Sequence, residues 1–103
     1  MNGTAVQRAY RVVTVNITPG ATPSVDLDPS RVSKKRKDVI FWRCDGDPNW
    51  RVDFGAESPF HRSTFDQAND CSGQTLHDAK EKYYKYSVTA GGGTIDPGTI
   101  VDQ

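Results

Sequence analysis

Short runs in which apolar and polar residues alternate, each closed by glycine or proline, most limit how this chain can fold. In the run YRVVTVNI, from Tyr10 to Ile17, three β-branched residues alternate with two polar ones, and Pro19 and Gly20 follow. A two-residue period places alternate side chains on opposite faces of a strand, so this run predicts a strand with one buried face. No convincing amphipathic helix longer than two turns is visible. The chain is therefore expected to be all-β.

Further strands are expected along the rest of the chain. Residues 38–44, DVIFWRC, form the most apolar run, and their aromatic and β-branched content predicts a central strand. Short extended pieces are expected at residues 25–27, 94–95 and 100–101, the last two separated by a turn at residues 96–98. Residues expected to share one face of a strand form three sets: Val13, Val15 and Ile17; Trp50, Val52 and Phe54; and Tyr84, Tyr86 and Val88. Whether Trp50, which follows a polar turn, is buried or exposed stays open.

The stretch from Gly55 to Ala79 has no sustained period and is rich in Ser, Asp, Asn and Gly. It predicts a long loop with at most one short helical turn near residues 75–82. Long loops on compact domains are often functional, so SPFHRSTF, from Ser58 to Phe65, is a candidate recognition surface. The alternative is that Phe60 and Phe65 pin this loop onto the core.

Length and charge restrict the function classes. A chain of 103 residues forms one domain, residues 1–103, of which residues 1–9 are expected to be a flexible N-terminus. Lys plus Arg and Asp plus Glu number 13 each, so no basic excess favours nucleic acid or an anionic membrane. The start of the sequence lacks a signal-peptide pattern, which favours the cytoplasm, or the periplasm or exterior if a leader has been removed.

At this point the sequence resembles the cupredoxins. VSKKRKDVIFW, from Val32 to Trp42, resembles the segment in which an extended piece and a basic turn lead into the central strand. YYKYSV, from Tyr83 to Val88, resembles the strand that normally ends at the copper cysteine. The order of parts from Tyr10 to Val101 is similar as well. The resemblance implies a mixed, Greek-key β-sandwich.

The residues that would bind copper are absent from the positions that resemble the family's ligands. Trp50 stands where the first histidine is expected and Val88 where the cysteine is expected. The second histidine position falls in Gly91–Gly93, and the only methionine is Met1. The resemblance therefore implies the scaffold without copper or another cofactor, similar to small uncharacterised bacterial cupredoxin-like proteins.

Other reactive residues give no strong motif. His61 and His77 are not closely paired in sequence with Cys44 or Cys71, as zinc ligands usually are, so two solvated histidines are expected. Whether the two cysteines form a disulfide stays open, because the sequence does not show their distance.

Catalysis and anion binding find little support in the sequence. Ser58, His61 and Asp66 suggest a hydrolytic triad, but no nucleophile-elbow pattern surrounds the serine. The basic run from Lys34 to Lys37 is interpreted as a solvated turn that discourages strand aggregation. We expect no enzymatic activity.

Three hypotheses for function follow. The first is a non-enzymatic binding or structural module that presents loops to another protein. The second is a small-ligand or carbohydrate binder that uses Trp50, Phe60 and His61 near the position resembling the copper site, with Trp42 as a further candidate. The third is a metal or redox carrier with atypical ligands. The exposure of Trp50 distinguishes the first two, since a buried ring cannot bind a ligand.

Overall fold

The structure of this protein, a computed structural model, describes residues 11–103, so the expectations for residues 1–9 and for Tyr10 lie outside the described residues. The all-β prediction is confirmed, with no helix in this range. No helix long and apolar enough to cross a membrane occurs among residues 11–103. The strands are β1 (Val12–Thr18), β2 (Ser24–Val25), β3 (Ser30–Ser33), β4 (Val39–Arg43), β5 (Arg51–Asp53), β6 (Thr64–Asp66), β7 (Tyr83–Lys85), β8 (Ser87–Ala90), β9 (Gly93–Ile95) and β10 (Gly98–Asp102).

The first sheet has the order β2-β1-β4. Strand β1 runs parallel to β4 and antiparallel to β2. On its other side β4 is bonded to the segment 70–72, through Trp42 N to Asp70 O at 3.0 Å and Ser72 N to Ile40 O at 2.8 Å. Strand β4 thus has partners along both edges, as predicted for a central strand.

The other strands form the sheets β6-β5-β8-β9 and β3-β10-β7. Strands β7 and β8 are separated only by Tyr86, and β9 and β10 only by residues 96–97. These two interruptions lie side by side, and the Tyr86 amide donates a hydrogen bond to the carbonyl of Pro97 at 2.9 Å. The two sheets therefore continue into each other, with β3 parallel to β10 at one edge and β6 antiparallel to β5 at the other.

An aromatic cluster occupies the core. The Trp42 ring from β4 stacks on Phe65 from β6 at a centroid distance of 4.7 Å. It meets Phe54 and Tyr86 edge-on at 6.1 and 5.9 Å. Burial raises the pKa of Tyr86 to about 12, so its hydroxyl is neutral at physiological pH. The apolar faces of the first sheet and of the β5–β6–β8 sheet therefore meet at Trp42.

The predicted long loop contains regular structure that the sequence pattern did not indicate. Strand β6 lies inside it, and isolated bridges join Phe60 to Thr75 and Phe41 to Cys71. No helical turn forms near residues 75–82, where one bond from Ala79 N to Leu76 O closes a turn. Backbone amides and carbonyls in this segment that are outside regular strands form hydrogen bonds with residues distant in sequence. The prediction of one structureless loop is therefore wrong.

A buried carboxylate organises the basic run, which forms the predicted turn between β3 and β4. Asp38 is 0% exposed and accepts bonds from the Ser33 amide at 2.9 Å and from Arg11 Nη2 at 3.0 Å. A buried charge requires such partners. Lys37 has a φ of 58°, and its amide donates to Lys34 O at 3.1 Å.

The replacement Val88→Asp is expected to unfold the domain. Val88 is fully buried opposite Val52, and an unpaired buried carboxylate costs at least about 3 kcal/mol of a stability of roughly 5–15 kcal/mol. Far-UV circular dichroism and urea unfolding measure the effect. The matched control is Thr89→Asp on the exposed face of the same strand, where the new carboxylate lies opposite Arg51. A folded Val88→Asp variant as stable as the control contradicts the assignment of faces.

Candidate functional site

The aromatic residues singled out by the sequence lie in the core. Trp42, Trp50 and Phe60 are 0%, 1% and 2% exposed. The Trp50 indole N–H is occupied by a hydrogen bond to Gln67 Oε1 at 2.9 Å. His61 is exposed, but it lies in the connection between β5 and β6, at the opposite end of β5 from Trp50. No face of Trp50 is open to a ligand, which argues against the small-ligand hypothesis.

The reactive side chains of the sequence are not brought together. Cys44 and Cys71 are both free, so the open question of a disulfide is answered. Within residues 11–103, no group of three or more His, Cys, Asp or Glu side chains is placed to hold a metal ion. Ser58 Oγ accepts from the amide of Phe60 at 3.1 Å and donates to Arg62 O at 2.7 Å. Both hydrogen bonds of the Ser58 hydroxyl therefore stabilise its own turn, residues 58–62.

Of the positions that resemble copper ligands, Trp50, Val88 and Gly91–Gly93 lie towards one end of the described fold, and Met1 lies outside the described residues. Strands β5 and β8 are antiparallel with Val52 opposite Val88, so Trp50 at the start of β5 lies near the end of β8 and the glycines after it. Both Trp50 and Val88 point into the core. What occupies this end instead is a set of polar turns.

Several connections meet there, and we call this surface the loop end. Parallel strands β1 and β4 both finish at it, β5 starts from it, and β6 and β8 return to it. The loop end comprises the connections at residues 19–20, 44–50, 67–70 and 91–92, together with Arg43, the last residue of β4. The position of the loop end therefore follows from the directions of the strands. Its side chains come from distant parts of the sequence.

Hydrogen bonds fix these connections to one another. The Gly91 amide donates to Asp47 Oδ2 at 2.7 Å, and the Gly20 amide donates to Ala90 O at 3.2 Å. Gly91 has a φ of 67°, and a Cβ there would collide with the backbone of Gly20. The turn of residues 45–49 is thus held against the turn that follows β8.

Asp47 is the electrostatic link in this arrangement. Its carboxylate accepts from the amides of Gly91 and, at 2.9 Å, Asn49. These bonds favour the ionised form, so the amide of Gly91 first and that of Asn49 second hold the pKa of Asp47 below its usual value. The carboxylate is charged at neutral pH and keeps two loops together.

Three adjoining depressions cross the loop end. The first, of about 370 Å³, lies between residues 42–48 and residues 67–70. The second, of about 320 Å³, shares Pro48 and Gln67 with it, and the third, of about 310 Å³, shares Arg43 and Asp45. Arg43 Nη2 lies 3.2 Å from Asp45 Oδ1, with both side chains largely exposed. The surface is shallow, polar and of mixed charge.

Comparison of the chain with protein-family models, with curated proteins and with solved structures finds no match.

The residues of the loop end were only partly visible in the sequence. The segment DGDPN, residues 45–49, reads as a turn between two buried strands, which is a position where binding residues are common. No sequence pattern indicated that Gln67 and Asp70 would belong to this surface. They reach this surface because β6 pairs with β5 and residues 70–72 pair with β4, and no local pattern encodes either pairing.

Replacing Asp47 by Asn is expected to lower the melting temperature at pH 7, because two amides lose a charged acceptor. A carboxyl group with a depressed folded-state pKa stabilises the fold above its unfolded pKa, and this contribution is lost as pH falls through the folded pKa. The difference from wild type should therefore shrink below about pH 4. Thermal unfolding across pH measures it.

The control for this experiment is Asp45→Asn. Asp45 is exposed, and within residues 11–103 its carboxylate is paired with Arg43 alone and accepts no backbone amide. We expect little change in melting temperature from this variant. An Asp47→Asn difference that stayed constant down to about pH 2 would contradict the proposed link.

Proposed function

We propose that this domain is a cupredoxin-like Greek-key β-sandwich without the copper-binding residues. Two features support this proposal. The parallel pair β1–β4 lies in one sheet and the parallel pair β3–β10 in another, within otherwise antiparallel sheets. The segment from Ser24 to Ser33 contributes β2 to the first sheet and β3 to the second. A chain that changes sheet in this way links two layers at one edge.

We further propose that the protein is a non-enzymatic binding module that contacts another protein through the loop end. The observation that carries this proposal is the rigid convergence of separate connections on a surface of mixed charge. Because Asp47 and Gly91 tie the connections together, little conformational entropy is lost when a partner binds. Exposed pairs such as Arg43 and Asp45 set orientation and specificity more than affinity.

A protein is the partner that this surface suits best. The chain has a formal net charge of zero, so long-range attraction to nucleic acid or to an anionic membrane is not expected. Shallow depressions bordered by both signs of charge resemble the polar rim of protein interfaces rather than an enclosed ligand cavity. We propose neither nucleic acid nor membrane as a partner.

Site-specific photo-cross-linking tests the loop end. A photoreactive phenylalanine replaces Asp45, and the full chain is irradiated in extract of its native host. We expect one dominant cross-linked protein. The same residue placed at Lys85, an exposed position on β7 outside the loop end, should not capture it.

A second substitution makes the result specific. Adding Arg43→Glu to the Asp45 probe should reduce capture about tenfold, which corresponds to about 1.4 kcal/mol of binding free energy. Arg43 is exposed, so its loss should not affect folding, and circular dichroism verifies this. Equal capture from both probe positions, or capture that Arg43→Glu leaves unchanged, contradicts binding through the loop end.

A further inference from the structure

Strand β1 has an open edge in its first half. Along one side it is paired with β4 from Val12 to Asn16. On the other side β2 reaches only Ile17 and Thr18, and Asn16 is bonded to Asp26. Among the described residues, no strand is hydrogen-bonded to the preceding residues 12–14 on that side, although β3 lies close to β1.

The backbone groups of Val12 and Thr14 face this open edge. The carbonyl of Arg11 accepts the Val39 amide at 3.0 Å, so residue 11 is directed toward β4. Asn16 is directed away from β4, since its amide donates to Asp26 Oδ1 and its carbonyl accepts the Asp26 amide. Alternate residues of a strand direct their backbone groups to opposite sides. Even-numbered residues therefore offer amides and carbonyls to a further strand.

A groove of about 400 Å³ runs along the same edge. It lies between residues 11–14 and residues 27–31, where the chain leaves the first sheet to join the second. Val12 and Leu27, which are 48% and 38% exposed, form part of its lining. Ser30 also lines it, and its buried Oγ has no hydrogen-bond partner in the part of the chain that the structure describes. Exposed apolar groups and unsatisfied polar groups thus occur together at one place.

We propose that this groove binds an extended acidic peptide segment of a partner protein, which adds to β1 as a further strand. Main-chain hydrogen bonds to Val12 and Thr14 would supply affinity, as in other cases of strand addition. The open stretch of three residues spans about 10 Å. β-branched side chains of the peptide would cover Val12 and Leu27. This surface is separate from the loop end, so the inference does not rest on the function proposed above.

Charge favours such a peptide over a second copy of the chain. Arg11 and Arg31 both line the groove, and each is paired through one nitrogen with a carboxylate of the chain, Asp38 and Asp102 respectively, at 3.0 Å. Half or more of each side chain is still exposed, so each guanidinium keeps N–H donors for a further carboxylate. A second copy paired edge to edge would bring its own two arginines to the same place, and like charges repel. Acidic residues at the ends of a peptide would instead meet these guanidinium groups.

The probe is a fluorescein-labelled peptide with alternating Val and Thr between terminal Glu residues, titrated with the full chain and followed by fluorescence anisotropy. Two further peptides carry N-methyl groups on alternate amides. In one peptide the odd-numbered amides are methylated, and in the other the even-numbered amides are methylated. Only one set can face β1. We expect one methylated peptide to bind like the parent and the other at least tenfold more weakly. Equal effects of the two, or no binding of the parent peptide, overturn the proposal.

A pair of variants tests the protein side. Val12→Pro removes one amide donor from the open edge and no hydrogen bond to any of residues 11–103, whereas Val12→Thr keeps the donor. We expect Val12→Pro to weaken binding at least tenfold and Val12→Thr to have little effect, with both variants folded by circular dichroism. Unchanged binding by Val12→Pro overturns the proposal.

Other occupants of the groove give distinct results. A dimer in light scattering that Val12→Pro dissociates would assign the edge to a second copy, and peptide binding that appears only after removal of residues 1–10 would assign it to the chain itself; both overturn the proposal. Arg43→Glu, at the loop end, should leave peptide affinity unchanged. Failure at the groove is thus distinguishable from failure of the proposed function.

Discussion

The packing of Trp42 is the interaction on which the rest of this structure depends. Its ring contacts aromatic rings from β6, from the end of β5, from Tyr86 and from the connection that carries Phe60. Burial of each such ring contributes about 2–3 kcal/mol, and edge-on or offset geometry adds about 1 kcal/mol per pair. Because Trp42 is also bonded through its amide to Asp70, the same residue fixes the register of the central strand and the position of the loop end.

The sequence could predict only the features of the fold that do not depend on such contacts between distant residues. The two-residue period correctly placed Val52, Val88 and Tyr84 in the core, since alternation is a local property of the chain. Strand β6 was missed because Thr64–Asp66 contains one apolar residue and is a strand only through its pairing with β5. The burial of Trp50 could not be predicted either, because a ring that follows a polar turn is buried only once the facing sheet and Gln67 are in place.

The candidate surfaces depend on the same distant pairings. A carboxylate in one turn and an amide in another hold the loop end together. The two groups are 44 residues apart in sequence, and no sequence motif indicates that they meet. The turn formers in residues 45–49 indicated a loop and its conformation, but not its partner. Local sequence thus specified which residues are exposed in turns, whereas strand order determined which of them share a surface.

The groove beside β1 arises from the way the chain changes sheets. Between Val25 and Ser30 the chain stops pairing with β1 and begins pairing with β10, and Asp28 Oδ1 accepts the Gly98 amide at 3.1 Å to hold this crossing on the second sheet. Because β3 is paired with the edge of the second sheet, the first half of β1 has a hydrogen-bonded strand on one side only among the described residues. Open edges promote association unless charge or shape prevents it. Arg11 and Arg31, which line the groove, supply charge at this edge, and this charge is the basis on which we propose an acidic strand rather than a second copy as its partner.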